Sequence, residues 1–138
     1  MEDARRHLPH GRTTGAILDA FFEVYRELGY GFSEVVNRRA LALALRGAGL
    51  EVGEEVPLHV HFRGTLIGAF RADLIVNGVV LVEVKAAPTL ESYAEAQVLN
   101  YLKAAGGGVG MLVNFGRHAA FKRLVLGDVA NSLPFLHR

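Results

Sequence analysis

The chain has 138 residues, 51% of them hydrophobic and 21% charged, with 15 basic against 14 acidic side chains and a net charge of +1. That length and balance suit one folded domain with its own core and argue against disorder. With no cysteine, disulfides and thiolate metal sites are excluded, and the weak overall field means that any nucleic-acid contact must come from a local basic patch.

Residues 1–14 read as a polar lead-in without the apolar stretch of a secretory signal, and no apolar run approaches the roughly 18 residues of a membrane span. With the missing cysteines, this points to a cytoplasmic setting. Over 15–28, Ile17, Phe21, Phe22, Val24, Tyr25 and Leu28 recur at helical spacing, and Gly29 and Gly31 interrupt the pattern. Ser33 is placed to cap a second helix over about 32–48, with Val36, Ala40, Leu43 and Leu45 on its apolar face and Gly47 and Gly49 at its end.

The character then switches to strands. VPLHVHF at 56–62 alternates apolar and polar positions, Arg63-Gly64 makes a turn, and TLIGAF follows at 65–70. ADLIV at 72–76 and VVLVEVKA at 79–86 flank Asn77-Gly78, a strong hairpin signal. Both runs are almost wholly apolar, as central strands covered on two faces would be. Pro88-Thr89 opens a third helix over 89–105, stopped by Gly106-Gly107-Gly108, and VGMLVNF at 109–115 is another buried strand. Residues 119–126 are ambiguous, and the tail GDVANSLPFLHR reads as a loop or a short terminal element. The expected order is α-α-β-β-β-β-α-β, a single α/β domain over 1–138 whose mixed central sheet carries an antiparallel meander and is flanked by helices.

Three charges interrupt those central strands. Glu83 and Lys85 are two apart, so both side chains leave one face of the strand, about 6.5–7 Å apart. Asp73 breaks the preceding apolar strand in the same way. Burying such groups is costly unless they are paired or bound to something. A structural salt bridge near a sheet edge would satisfy the Glu–Lys pair alone. Two carboxylates projecting together repel, and a divalent cation between them relieves that repulsion. A lysine beside it would then position or activate a water.

In this pattern the chain resembles the PD-(D/E)xK nuclease superfamily. Asp73, Glu83, Val84 and Lys85 match its D…ExK core, with Ala72 in place of the usual proline before the aspartate. The likeness runs from about Ile17 to Val125 and is closest to the GxxExxY family, whose GxxE is matched by Gly31 to Glu34, with Asn37 at the tyrosine position. Gln97 and Tyr101, four apart on one helix face with Tyr93 a turn earlier, match the QxxxY motif of the RecB-like branch. A packed amphipathic helix would also account for those tyrosines.

The resemblance implies a restriction-endonuclease-like core and a nuclease that hydrolyses DNA phosphodiester bonds with Mg²⁺ or Mn²⁺. Asp73 and Glu83 would hold the metal, with the Val84 carbonyl as a third ligand. Lys85 would orient or deprotonate the nucleophile, and Gln97 and Tyr101 would support it. For Glu34, the resemblance implies a catalytic role through a metal-bound water, while its place at a helix start also suits the macrodipole. The alternative is a non-catalytic nucleic-acid-binding or assembly module that retains the fold. A bare core of this size suggests a homodimer as the assembly able to embrace a duplex.

Arg38 and Arg39, with Arg46, form one basic stripe, and Arg117, His118, Lys122 and Arg123 form another. Each could contact nucleic-acid phosphates or simply be solvated. His59 and His61 share a strand face without a third ligand at a helpful spacing, which suits a solvated face better than a metal. The glycines at 106–108 lack the lysine of a phosphate-binding loop and read as a connection. One geometric demand remains. A simple two-residue turn at Asn77-Gly78 would set Asp73 opposite Val82 and put Glu83 and Lys85 on the other face. A shared site therefore requires an odd-length turn or a bulge between Asp73 and Glu83.

Overall fold

A computed structural model describes residues 8–127. The elements run α1 (Gly11–Leu28), α2 (Glu34–Gly47), β1 (Val52–Phe62), β2 (Thr65–Val76), β3 (Val80–Lys85), α3 (Ser92–Ala105), β4 (Gly108–Phe115) and β5 (Ala119–Leu126). The strands form one sheet in the order β1-β2-β3-β4-β5. Only β3 and β4 are parallel, joined by the α3 crossover; the other pairs are antiparallel. This is the mixed α/β architecture expected from the sequence, with β1, β2 and β3 as its antiparallel meander. Among the described residues no helix is long and apolar enough to cross a membrane.

The element order is corrected to α-α-β-β-β-α-β-β. Residues 65–70 and 72–76 are one strand, because Arg71 lies exposed opposite Pro57 and the pairing with β1 runs through it. Residues 119–126 form an edge strand, β5, whose half-exposed faces explain why no clear period marked it. The tail from residue 128 lies outside the described residues. The first helix starts at Gly11, inside the expected lead-in, where the Thr14 hydroxyl donates to the Gly11 carbonyl at 3.2 Å. The third helix begins at Ser92 instead of residue 89.

Ser33 caps α2 as expected, its hydroxyl accepting from the Val36 N–H at 3.3 Å. The buried face of α2 differs from the expected one: it is Asn37, Arg38, Leu41, Ala42 and Leu45, while Val36 and Leu43 are exposed. Two polar side chains hold that face because each has partners. Asn37 donates to the Phe32 carbonyl, and Arg38 pairs with Glu54 and Glu55 on β1.

The sheet is covered on both sides, which accounts for its apolar runs. Leu74, Val76, Val80, Val82, Val84, Met111 and Val113 pack under α1 and α2. Ile75, Leu81 and Leu112 pack under Ala94, Val98 and Leu102 of α3. Helix α3 approaches β4 closely at Gly110, where a Cβ would stand 2.7 Å from the Val98 side chain.

The β2–β3 connection has the odd length that the site requires. Asn77 and Gly78 take φ of 53° and 66°, and the Val79 N–H donates to the Val76 carbonyl. Pairing resumes only at Val76↔Val80, so Val79 is one extra residue in the turn. The pairs Ile75↔Leu81 and Leu74↔Val82 follow, and the next step brings Asp73 to Glu83. Deleting Val79 should leave a two-residue turn with the same Val76–Val80 pairing. The deletion variant is therefore expected to stay folded, losing about 1 kcal/mol of partial burial in a denaturant melt. Complete unfolding would show instead that Val79 is needed to set the register.

Candidate active site

Regular pairing between β2 and β3 stops at Leu74↔Val82. One step further, side chains replace the main-chain ladder. The Asp73 N–H donates to Glu83 Oε1 at 2.9 Å, and the Val84 N–H donates to Asp73 Oδ2 at 2.7 Å. Each carboxylate thus holds a main-chain N–H of the opposite strand, and the two strands part around the acid pair. In an extended strand, the N–H and C=O of one residue point the same way. The Val84 carbonyl therefore faces the β2 side.

Glu83 is 3% exposed, whereas Asp73 and Lys85 are half-buried. The pKa of Glu83 is raised from 4.5 to about 8, first by burial and next by the charge of Asp73. A hydrogen bond to the Asp73 side chain raises it further, while the Asp73 N–H and Lys85 oppose the shift. Near neutral pH burial and the Asp73 charge thus favour the protonated form of Glu83.

Lys85 leaves the same face as Glu83 and meets α3. Its Nζ donates to Gln97 Oε1 at 2.6 Å, and Gln97 Nε2 donates to the Tyr101 hydroxyl at 3.2 Å. The Tyr101 pKa is raised by burial and then by the negative charges of Glu83 and Asp73. Phe70 of β2 packs on Tyr101, with ring centroids 5.2 Å apart. The close seat of α3 on Gly110 brings Gln97 within reach of the lysine. The fold thus gathers Asp73, Glu83, Lys85, Gln97 and Tyr101 into one row.

The family model of the PD-(D/E)XK nuclease superfamily matches residues 11–124. The chain belongs to this superfamily. No curated protein matches it significantly. Among solved structures, the crystal structure of SSO0001 is similar, with a TM-score of 0.53 and 22% identity. The match covers 69% of this chain and 52% of that one, so the chain spans about half the length of that relative, and the likeness is one of fold.

The superfamily's nucleases typically use divalent metals, and the donor set here fits a hard divalent cation: two carboxylates side by side, oxygen donors only, one of them buried. No group of three or more His, Asp or Glu gathers among the described residues. Two carboxylates suffice for Mg²⁺, which keeps several waters. Glu34 is exposed on the first turn of α2, and among the described residues no hydrogen bond or ion pair joins it to the acids.

The basic residues divide. Arg39, Arg117 and His118 are exposed. Arg38 is 8% exposed and paired with Glu54 and Glu55. Lys122 is ion-paired with Glu95 of α3. Arg123 donates to the Pro9 carbonyl, and burial lowers its pKa. Arg46 is bound to Glu54 and the Val52 carbonyl. His59 and His61 are exposed on β1 beside Lys103 and Asn100. Sequence reading assigned no role to Asn114, 2% exposed, whose side chain accepts from the Ala87 N–H and donates to the Ala87 carbonyl, both at 2.9 Å. A polar residue inside the buried run VGMLVNF was the available signal.

Proposed function

We propose that the domain is a metal-dependent deoxyribonuclease that hydrolyses DNA phosphodiester bonds with Mg²⁺ or Mn²⁺ at Asp73 and Glu83. The observation that carries this reading is the acid pair at the fork of β2 and β3, each carboxylate holding a main-chain N–H of the opposite strand and one of the two buried. In this reading Asp73, Glu83 and the Val84 carbonyl hold the cation, with Glu34 assisting its shell through water. The chemistry supplied there is polarisation of the phosphoryl oxygen and a more acidic attacking water. Lys85, held by Gln97 and Tyr101, positions that water and stabilises charge developing on the phosphate. Exposed Arg39, Arg117 and His118 steer the nucleic-acid backbone. Kinship with the GxxExxY family is supported by Gly31 to Glu34 at the entry to α2. The proposed assembly is a cytoplasmic homodimer.

The test is cleavage of linear, circular and single-stranded DNA with Mg²⁺, beside a Lys85→Ala control, with calorimetric Mg²⁺ titration of both proteins. Lys85→Ala should lower cleavage by roughly a hundredfold or more while Mg²⁺ still binds. A wild-type protein that binds no Mg²⁺ and cleaves nothing would leave the rival reading, a non-catalytic module.

A further inference from the structure

Apart from the catalytic row, one concavity opens at the carboxyl ends of the parallel strands β3 and β4. It is walled by Ala86–Pro88 as the chain leaves β3, by Gly116–His118 as it leaves β4, and by Tyr30–Phe32 between α1 and α2. The carboxyl ends of parallel strands are where open α/β sheets bind ligands. The cavity measures about 460 Å³, within the range of small-molecule sites.

The floor is rigid before any ligand arrives. Asn114 grips both main-chain groups of Ala87, and the Tyr25 hydroxyl lies 2.6 and 2.8 Å from the carbonyls of Gly116 and Arg117. The mouth, by contrast, displays apolar surface: Tyr30 is 56% and Phe32 49% exposed, although aromatic Phe21 on α1 is fully buried. The Arg117 guanidinium stands 5.9 Å from the Tyr30 ring centroid. Aromatic side chains beside a cation, in a cavity whose Ala86–Pro88 wall directly follows Lys85 in the chain, match the two halves of a nucleotide: a base that stacks and a phosphate that is negative.

We propose that this cavity receives one unpaired nucleobase of the substrate strand, stacked on Tyr30 and Phe32 with Arg117 facing its phosphate. The proposal rests on the nucleic-acid reading of the site and deepens it. A base held in a duplex cannot enter, so the substrate is single-stranded or frayed next to the bond that is cut.

Binding without cleavage tests this. The probe is a fluorescein-labelled single-stranded DNA of about twelve nucleotides, in EDTA, followed by anisotropy beside a blunt duplex and an abasic strand of equal length. The base-bearing strand should bind at least about fivefold tighter than either control, since stacking one base contributes about five- to hundredfold. Tyr30→Ala and Phe32→Ala should each remove most of that advantage and leave duplex binding within about twofold, and Tyr30→Trp should keep it. Equal binding of base-bearing and abasic strands, or unchanged binding by alanine variants with wild-type melting, would overturn the proposal. Tight, base-dependent binding without any Mg²⁺-dependent cleavage would uphold the pocket and sink the nuclease reading separately.

Discussion

Glu83→Gln is expected to lower metal-dependent cleavage by about a thousandfold or more, because losing a charged ligand forfeits several kcal/mol of transition-state stabilisation. The amide is the informative substitution. It can still accept from the Asp73 N–H and donate to the Asp73 carboxylate, as the protonated acid does, whereas alanine would leave that N–H unpaired. The same variant should change how metal-free stability depends on pH. Glu83 titrates near 4.5 when unfolded and near about 8 when folded. Below 4.5 both states carry the proton and Glu83 adds no cost. As pH rises, the unfolded chain releases the proton first, so stability falls progressively until the folded state ionises near about 8. Urea melts across that window should slope downward for wild type and be flatter for Glu83→Gln. Parallel slopes would remove the assignment of the shift to Glu83, and undiminished cleavage would end its catalytic role.

Gly116→Ala is expected to be strongly destabilising. A Cβ there would lie 2.3 Å from the Ala87 carbonyl oxygen and 2.9 Å from Asn114 Nδ2. Neither can retreat easily, since Asn114 is buried and already binds both main-chain groups of Ala87. Overpacking against main chain, together with strained hydrogen bonds, should cost about 3 kcal/mol, or roughly 10 °C in melting temperature. Because Ala87 follows Lys85 by two residues, cleavage should fall as well. A melting temperature within a degree or two of wild type would show that the loops after β3 and β4 yield freely.

The acid pair and its lysine were legible because charge in an apolar strand is conspicuous at any sequence distance, and the need for an odd turn followed from counting. QxxxY was legible because both side chains share a helix face. What escaped depended on partners far along the chain. Arg38 and Asn37 occupy the inner face of α2 because Glu54, Glu55 and the Phe32 carbonyl meet them there. Hydrophobic spacing alone placed Ala40 and Leu45 inside correctly but missed the polar part of that face and wrongly included Val36 and Leu43. Lys122 looked free until α3 brought Glu95 beside it. The strand through Arg71 was read as two because a charge on an exposed ribbon looks like a break in a buried one. The cavity at Tyr30 and Phe32 was invisible for the opposite reason, as two aromatics beside glycines carry no spacing signal.

The parting of β2 from β3 also sets how the molecule loosens. Past Asp73, β1 is the only strand paired with β2 among the described residues, and from His59↔Ala69 to Phe62↔Thr65 the hairpin is a two-stranded ribbon with most of its residues exposed. A ribbon with so little packed against it opens at a small fraction of the global unfolding free energy, and its amides exchange well ahead of those in β3 and β4. Its root is the strand that carries Asp73, so the least stable part of the sheet is continuous with one jaw of the acid pair. Between the ribbon and Asp73 stand Phe70, packed on Tyr101, and buried Ala72, while the Glu83 jaw sits in the core.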